Sequence, residues 1–173
     1  MATDTDYAWA AGILDGEGCL SMNRQRATVR KDIKTDSFRP VLKVTMGHKP
    51  TIDRLFELFG AGSVQTHKAK SKAVNSSWSW LCQCDQVWKP LEKMFPYLLT
   101  KREEADLLFR FRDLPSGAVG GAGGNPQQTA EMVDAKAVFY WRLRMLKPRW
   151  RFYAAALKPG ELAEMRRLGL ETV

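Results

Sequence analysis

The segment Trp9-Ala-Ala-Gly-Ile-Leu-Asp-Gly-Glu-Gly18 constrains this chain more than any other part of it. Asp4 to Asp15 is patterned as a helix, with Asp4 or Thr5 as available N-caps and Gly16 and Gly18 to end it. On that helix Ala8, Ala11, Gly12 and Asp15 fall at i, i+3, i+4 and i+7, a narrow stripe of small residues ending in a carboxylate. Glycine inside a helix costs about 1 kcal/mol relative to alanine, so Gly12 is expected where another backbone approaches closely. Tyr7, Ala10 and Leu14 lie on a different face, suited to the chain's own core. Asp15 and Glu17 sit at the helix C-terminus, where the macrodipole makes a carboxylate unfavourable unless a cation joins it. Two such helices packed across a two-fold axis would make their carboxylates converge. A divalent metal ion resolves that repulsion and serves phosphodiester hydrolysis. Taken alone, the same residues also fit an ordinary helix end entering a hairpin.

The patterning that follows alternates between helix and strand periods. Leu20 to Thr28 and Pro40 to Met46 alternate apolar and polar residues, as half-buried strands do. Lys49-Pro50 opens a helix in which Ile52, Leu55, Phe56 and Phe59 recur at helical spacing, and Gly60 ends it. Gly62 to Lys70 and Ser77 to Cys84 read as a second strand pair, and Val87 to Leu99 and Glu103 to Leu114 as two more helical segments. The order αββαββα predicts an α+β domain with a four-stranded, largely antiparallel sheet, helices on one face and solvent on the other. The open face is expected to carry Ser21, Asn23, Gln25, Arg39, Lys43, Gln65 and His67. A twisted polar ribbon of this kind fits the major groove of a duplex. By parity Trp78 and Trp80 join Cys82 and Cys84 on the covered face; base stacking is the alternative if the register slips.

Beyond this core the composition changes. Residues 1–114 are expected to form the core, 115–128 a Gly-rich linker and 129–173 a C-terminal helical extension. The extension holds a helix from Thr129 to Lys147, rich in Arg and aromatics, and a short one from Pro159 to Leu168. Lys147, Arg149 and Arg151 are candidates for phosphate contacts. The chain has 173 residues, with 27 Lys and Arg against 19 Asp and Glu, a net charge of +8 that favours a polyanionic partner. No apolar run approaches the roughly 20 residues that span a bilayer, so no membrane role is expected. Met1 to Asp6 resembles neither a signal nor a transit peptide. Cys19, Cys82 and Cys84 lack zinc spacing and read as reduced thiols of an intracellular compartment. His48 and His67 leave little for a histidine metal site.

Ala10-Ala-Gly-Ile-Leu-Asp-Gly-Glu-Gly18 resembles the signature of the LAGLIDADG homing endonucleases, with Gly-Glu in place of Ala-Asp. Gly60-Ala-Gly-Ser-Val64 and Phe95-Pro-Tyr-Leu-Leu-Thr-Lys-Arg-Glu-Glu104 are also similar to segments of that family. The resemblance covers residues 4–114, and no second copy of the motif follows. It implies a homodimer that cuts a long pseudo-palindromic site in double-stranded DNA with Mg²⁺, or Mn²⁺, in the service of intron homing. It implies Glu17 as catalytic metal ligand, the Gly16 carbonyl as a further ligand, and Lys101 as the lysine that polarises water or steadies transition-state charge. Apart from its flanking match, Lys101 reads as a solvated lysine. Ala8, Ala11, Gly12 and Asp15 become the dimer interface, with Asp15 capping and orienting the helix pair. His48 or Lys49 stands where a further basic group is expected, and Met46 where many members keep a polar, water-positioning residue. Two functions remain open: a site-specific endonuclease, and a non-cleaving DNA-binding regulator or RNA-splicing maturase on the same fold. The acidic helix end favours the first and Met46 the second.

Overall fold

Thr3, not Asp4 or Thr5, starts the first helix, α1 (Asp4–Glu17). Its hydroxyl accepts from the Asp6 N–H, and the Asp6 carboxylate accepts from the Thr3 N–H at 2.9 Å, a reciprocal cap. The computed structural model describes residues 2–27, 35–68, 76–114 and 128–170. After α1 come β1 (Gly18–Gln25), β2 (Ser37–Met46), α2 (Lys49–Phe59), β3 (Ser63–His67) and β4 (Ser77–Gln83). Then follow α3 (Trp88–Met94), α4 (Arg102–Arg112), α5 (Ala130–Met145), α6 (Trp150–Ala155) and α7 (Pro159–Arg167). The expected αββαββα order is present, and the two helical segments expected after β4 are α3 and α4, parted by a tight turn at Phe95–Tyr97. Thr28, the end expected for the first strand, and residues 69 and 70, expected in the third, lie outside the described residues, as does 115–127 of the expected linker.

The strands form one sheet in the order β1-β2-β4-β3. β4 is antiparallel to both of its neighbours, with Val44 and Val64 opposite Trp80 and with Thr45 and Gln65 opposite Ser79. Side chains alternate across a sheet, so this register puts Leu42, Val44, Trp80 and Cys82 on one side and Lys43, Thr45, Gln65 and Ser79 on the other.

The chain divides into two compact units, Met1–Ser21 with Arg39–Asp106, and Met22–Phe38 with Leu107–Val173. In the first, Leu14, Leu20, Leu42, Val44, Ile52, Leu55 and Trp80 are fully buried. Trp80 stacks on Phe59 at 5.3 Å and donates its indole N–H to the Ala61 carbonyl at 2.9 Å, which satisfies its one polar atom. Gly62, at φ 87°, lets that turn pass beneath β4: an added Cβ would lie 2.6 Å from both Cys82 Sγ and the Leu81 carbonyl. The core reading of Trp80 and Cys82 therefore holds. Cys84 does not follow them, because β4 ends at Gln83 and Cys84 turns outward at φ 53° into an exposed position.

In the second unit, Trp141, Trp150, Met165 and Leu170 make a separate small core. Its Trp150 is the buried residue of α6, an anchor for a basic stretch that has no helical patterning of its own. Met22–Phe38 groups with these helices in the second unit. Arg24 holds it there. Its Nη atoms donate to both Glu164 oxygens at 2.7 Å, its Nε donates to Asp36 at 2.6 Å, and its guanidinium lies 5.4 Å from the Phe38 ring and 5.7 Å from the Tyr140 ring. Burial opposes the charge, but the two carboxylates outweigh it and raise the arginine pKa. Among the described residues, no helix is long and apolar enough to cross a membrane.

Candidate functional site

The C-terminal end of α1 is where the chemically distinctive residues meet. The helix runs through Gly16 to Glu17 instead of ending at Gly16, and Gly18 closes it by donating its N–H to the Leu14 carbonyl. A Cβ at Gly18 would lie 2.3 Å from Leu14 Cδ1, so only glycine turns this tightly from helix into strand. Glu17 and Gly16 are exposed, and Asp15 is half-buried.

Asp15 is engaged within its own chain. Its carboxylate accepts from the Leu99 N–H at 2.7 Å, the Lys101 N–H at 2.9 Å and the Thr100 hydroxyl at 3.0 Å, which ties down the turn that leads into α4. Burial pushes this carboxyl pKa up, but the hydrogen bonds from Leu99, Lys101 and Thr100 win and hold it below the usual carboxylate value. The Asp15 main-chain carbonyl accepts from the Lys101 ammonium at 2.6 Å. A cation at the carbonyl end of a helix meets the negative pole of the macrodipole. The fold thus brings Lys101 to the end of α1, and it leaves Glu17 as the exposed carboxylate there. Glu17 and the Gly16 carbonyl are hard oxygen donors of the kind Mg²⁺ takes. They are few: among the described residues, no three His, Cys, Asp or Glu side chains converge on a metal position.

The small-residue stripe divides in two. Ala11 is fully buried in its own unit and has no surface to give a second copy, because Ala10, Ala11 and Leu14 together face the core. Ala8 is half-buried and Gly12 exposed. A Cβ at Gly12 would meet nothing within 4 Å, so no other part of the described chain accounts for a glycine at this point.

On the open side of the sheet in the first unit, Arg39, Gln65 and His67 are exposed, and Ser21 and Lys43 half-exposed. Val41 on the same side is buried, so the surface is polar but not uniformly so. In the second unit Asn23 is exposed and Gln25 partly so. Met46, the last residue of β2, shares the side of Leu42 and Val44 and lies opposite Trp78. His48 hydrogen-bonds Thr51 at 2.8 Å, and Lys49 pairs with Asp53 at 2.5 Å, so the structure ties both to the first turn of α2. Arg149 and Arg151 are exposed, and Lys147 is half-buried.

Three contributions were missed from sequence. Thr100 lies within the family-like segment, but nothing there singled out its hydroxyl. Arg24 had one, since its parity puts it beside Leu20 and Met22 on the covered side, where a lone arginine requires carboxylates. Ser79 is completely buried although its parity belongs to the open side, which only the neighbouring strands could reveal.

No family model matches the sequence, and no curated protein matches it. Solved structures do. The chain is similar to the homing endonuclease I-CvuI, crystallised with a DNA target in the presence of Mg, with a TM-score of 0.67 and 17% identity over 98% of each chain. It is similar to the archaeal intron-encoded homing endonuclease I-Vdi141I complexed with DNA, with a TM-score of 0.65 and 13% identity over 84% of this chain and 86% of that one. The LAGLIDADG homing endonuclease I-LtrWI, bound to target DNA, matches 76% of this chain with 42% of its own, at a TM-score of 0.55 and 18% identity. At such identities the likeness shows the fold: this chain has the LAGLIDADG homing endonuclease fold.

Proposed function

We propose that the protein is a site-specific, divalent-metal-dependent endonuclease of double-stranded DNA that acts as a homodimer. The observation that carries this reading is the division of labour at the end of α1: Asp15 is consumed in holding Leu99 to Lys101, while Glu17 stays exposed beside them. A protein that only binds DNA gains nothing from an unneutralised carboxylate held toward phosphate. The shared fold supports a duplex partner, since I-CvuI and I-Vdi141I were both solved with DNA. The +8 charge agrees.

Each chain supplies one exposed Glu17, so two copies meeting at Gly12 supply the pair of carboxylates that two scissile phosphates require. Glu17 and the Gly16 carbonyl would hold the ion. A bound divalent metal supplies Lewis-acid polarisation of the phosphate and a water of lowered pKa. Lys101, steadied on the Asp15 carbonyl, presents its remaining ammonium protons to phosphate oxygens and stabilises charge that develops during attack. Ser21, Asn23, Gln25, Arg39, Lys43, Gln65 and His67 read base edges. Ala8, Gly12 and the Asp15 helix end form the contact between copies, with Ala11 supporting it from beneath.

One observation favours the second reading, a non-cleaving DNA-binding regulator or an RNA-splicing maturase. Met46 offers no hydrogen bond where the family resemblance implies a polar group. A cleavage assay on plasmids carrying the gene's genomic locus, with and without the insertion that holds the gene, separates the two. Wild type should linearise one of them with Mg²⁺ or Mn²⁺ and fail with Ca²⁺, whose looser coordination suits binding better than in-line attack. Glu17→Gln should lose cleavage and keep binding. Cutting by Glu17→Gln at the wild-type rate would remove Glu17 from the metal site, and binding without cutting by wild type would favour the second reading.

A further inference from the structure

A hydrogen-bond chain crosses three strands on the open side of the first unit. Ser79 Oγ lies 2.7 Å from Thr45 Oγ1 and 2.7 Å from His67 Nε2. Ser79 is fully buried, Thr45 half-buried, and His67 exposed. A hydroxyl has one proton to give, so either arrangement of this chain makes two hydrogen bonds and leaves one donor pointing outward. If Ser79 gives its proton to Thr45, Nε2 must carry its own, and the outward donor is the half-buried Thr45 hydroxyl. If Thr45 donates to Ser79 and Ser79 donates to Nε2, the outward donor is the exposed His67 ring, where water or a ligand reaches it more freely. A neutral imidazole that accepts at Nε2 carries its proton on Nδ1. Nδ1 has no partner among the described residues and belongs to an exposed ring.

We propose that Ser79 and Thr45 set the tautomer of His67, so that His67 presents an Nδ1–H donor to a purine N7 in the major groove. This deepens the DNA-reading function proposed above and rests on it. N7 is the acceptor that adenine and guanine share on that edge, whereas thymine carries a methyl group beside its O4. The consequence is a purine-over-pyrimidine preference at one base pair of each half-site, with no separation of adenine from guanine. Ser79 touches no base, since it is buried, and acts as a positioning residue. Without its hydroxyl the ring is free to carry its proton on Nε2, the form that free imidazole side chains favour. His67 would then offer an acceptor outward and prefer the amino group of adenine or cytosine.

Two measurements on the full-length protein test this. Nitrogen-15 NMR of the ring nitrogens above the histidine titration range, with His67→Gln to identify the signals, should find the Nδ1–H form in wild type and in Thr45→Ser. Ser79→Ala should change it to Nε2–H. An Nε2–H ring in wild type overturns the proposal without reference to DNA. The second measurement selects a preferred duplex from a randomised library and replaces each purine singly with its 7-deaza analogue. Wild type and Thr45→Ser should lose affinity by about tenfold at one position in each half-site. Ser79→Ala and His67→Ala should both be insensitive there, and the double variant no more affected than either single one. A preferred duplex without such a shared position overturns the relay and leaves the endonuclease reading standing. A library that yields no preferred duplex overturns the DNA-reading function and the base contact with it.

Discussion

Replacing Asp15 with Asn or Ala should destabilise the fold in a pH-dependent way whose sign the structure dictates. The carboxylate receives two main-chain N–H groups and a hydroxyl from Leu99, Thr100 and Lys101. A hydrogen bond between neutral groups is worth about 0.5–1.5 kcal/mol. Bonds to a charged acceptor are worth more, about 1.5–3 kcal/mol each, but these sit at a half-exposed site where water replaces part of what is lost and screens the charge. About 2 kcal/mol is therefore expected for Asp15→Ala, near a 30-fold drop in the folded-to-unfolded ratio. Asp15→Asn keeps one acceptor and should cost about half as much. Because hydrogen bonding lowers the Asp15 pKa in the folded state, its contribution is fully present above the unfolded value of about 3.9 and is lost as pH falls through the folded value. Urea denaturation followed by tryptophan fluorescence should find a constant gap between wild type and Asp15→Asn from pH 7 to about pH 5, closing on further acidification. Protein concentration must be held fixed, since association of copies adds to apparent stability. Equal stability at pH 7, or a gap that ignores acid, would refute the role of Asp15 in holding that turn.

Gly12→Leu should force two copies apart, giving monomers by sedimentation at micromolar concentration while circular dichroism stays unchanged. A wild type that is itself monomeric and binds one duplex as a monomer would count against the interface. Lys43→Ala should relax preference at particular base pairs by about 1–3 kcal/mol, measured against target and scrambled duplexes. Arg149→Ala should weaken all sequences alike and flatten the salt dependence by about one unit. The same uniform loss in both would mean that the sheet is not the reader. Glu164→Gln should lower stability by about 1.5–3 kcal/mol, because it replaces a charged, bidentate partner of Arg24 with a neutral one; a denaturation midpoint equal to wild type would refute that.

Several elements were legible before any coordinates because their causes are local. The helix of Ala10 and Leu14, the alternation Leu42-Lys43-Val44-Thr45, and the stop at Gly60 each depend on residues a few positions apart. The resemblance of Phe95 to Glu104 to a family segment also pointed to Lys101. What it did not contain was the means of holding it. Lys101 reaches the end of α1 because Asp15, far away in sequence, accepts the backbone of that very turn.

The amino-acid order alone determined the periodicities, hence the strand and helix order and which residues share a side of a strand. Parity is a property of consecutive backbone units and needs no neighbour. Which surfaces remain free is a property of neighbours, and only the tertiary structure decided it. It buried Ala11, which helical spacing had placed in the stripe, and Ser79, which parity had left open, and it turned Cys84 out where parity had it covered. It drew residues 22–38 to the C-terminal helices through Arg24, Asp36 and Glu164. At α1 it assigned two nearby carboxylates opposite fates. Asp15 and Glu17 differ by two positions in a helix, about 200° of rotation, so one meets the α4 turn and the other meets solvent.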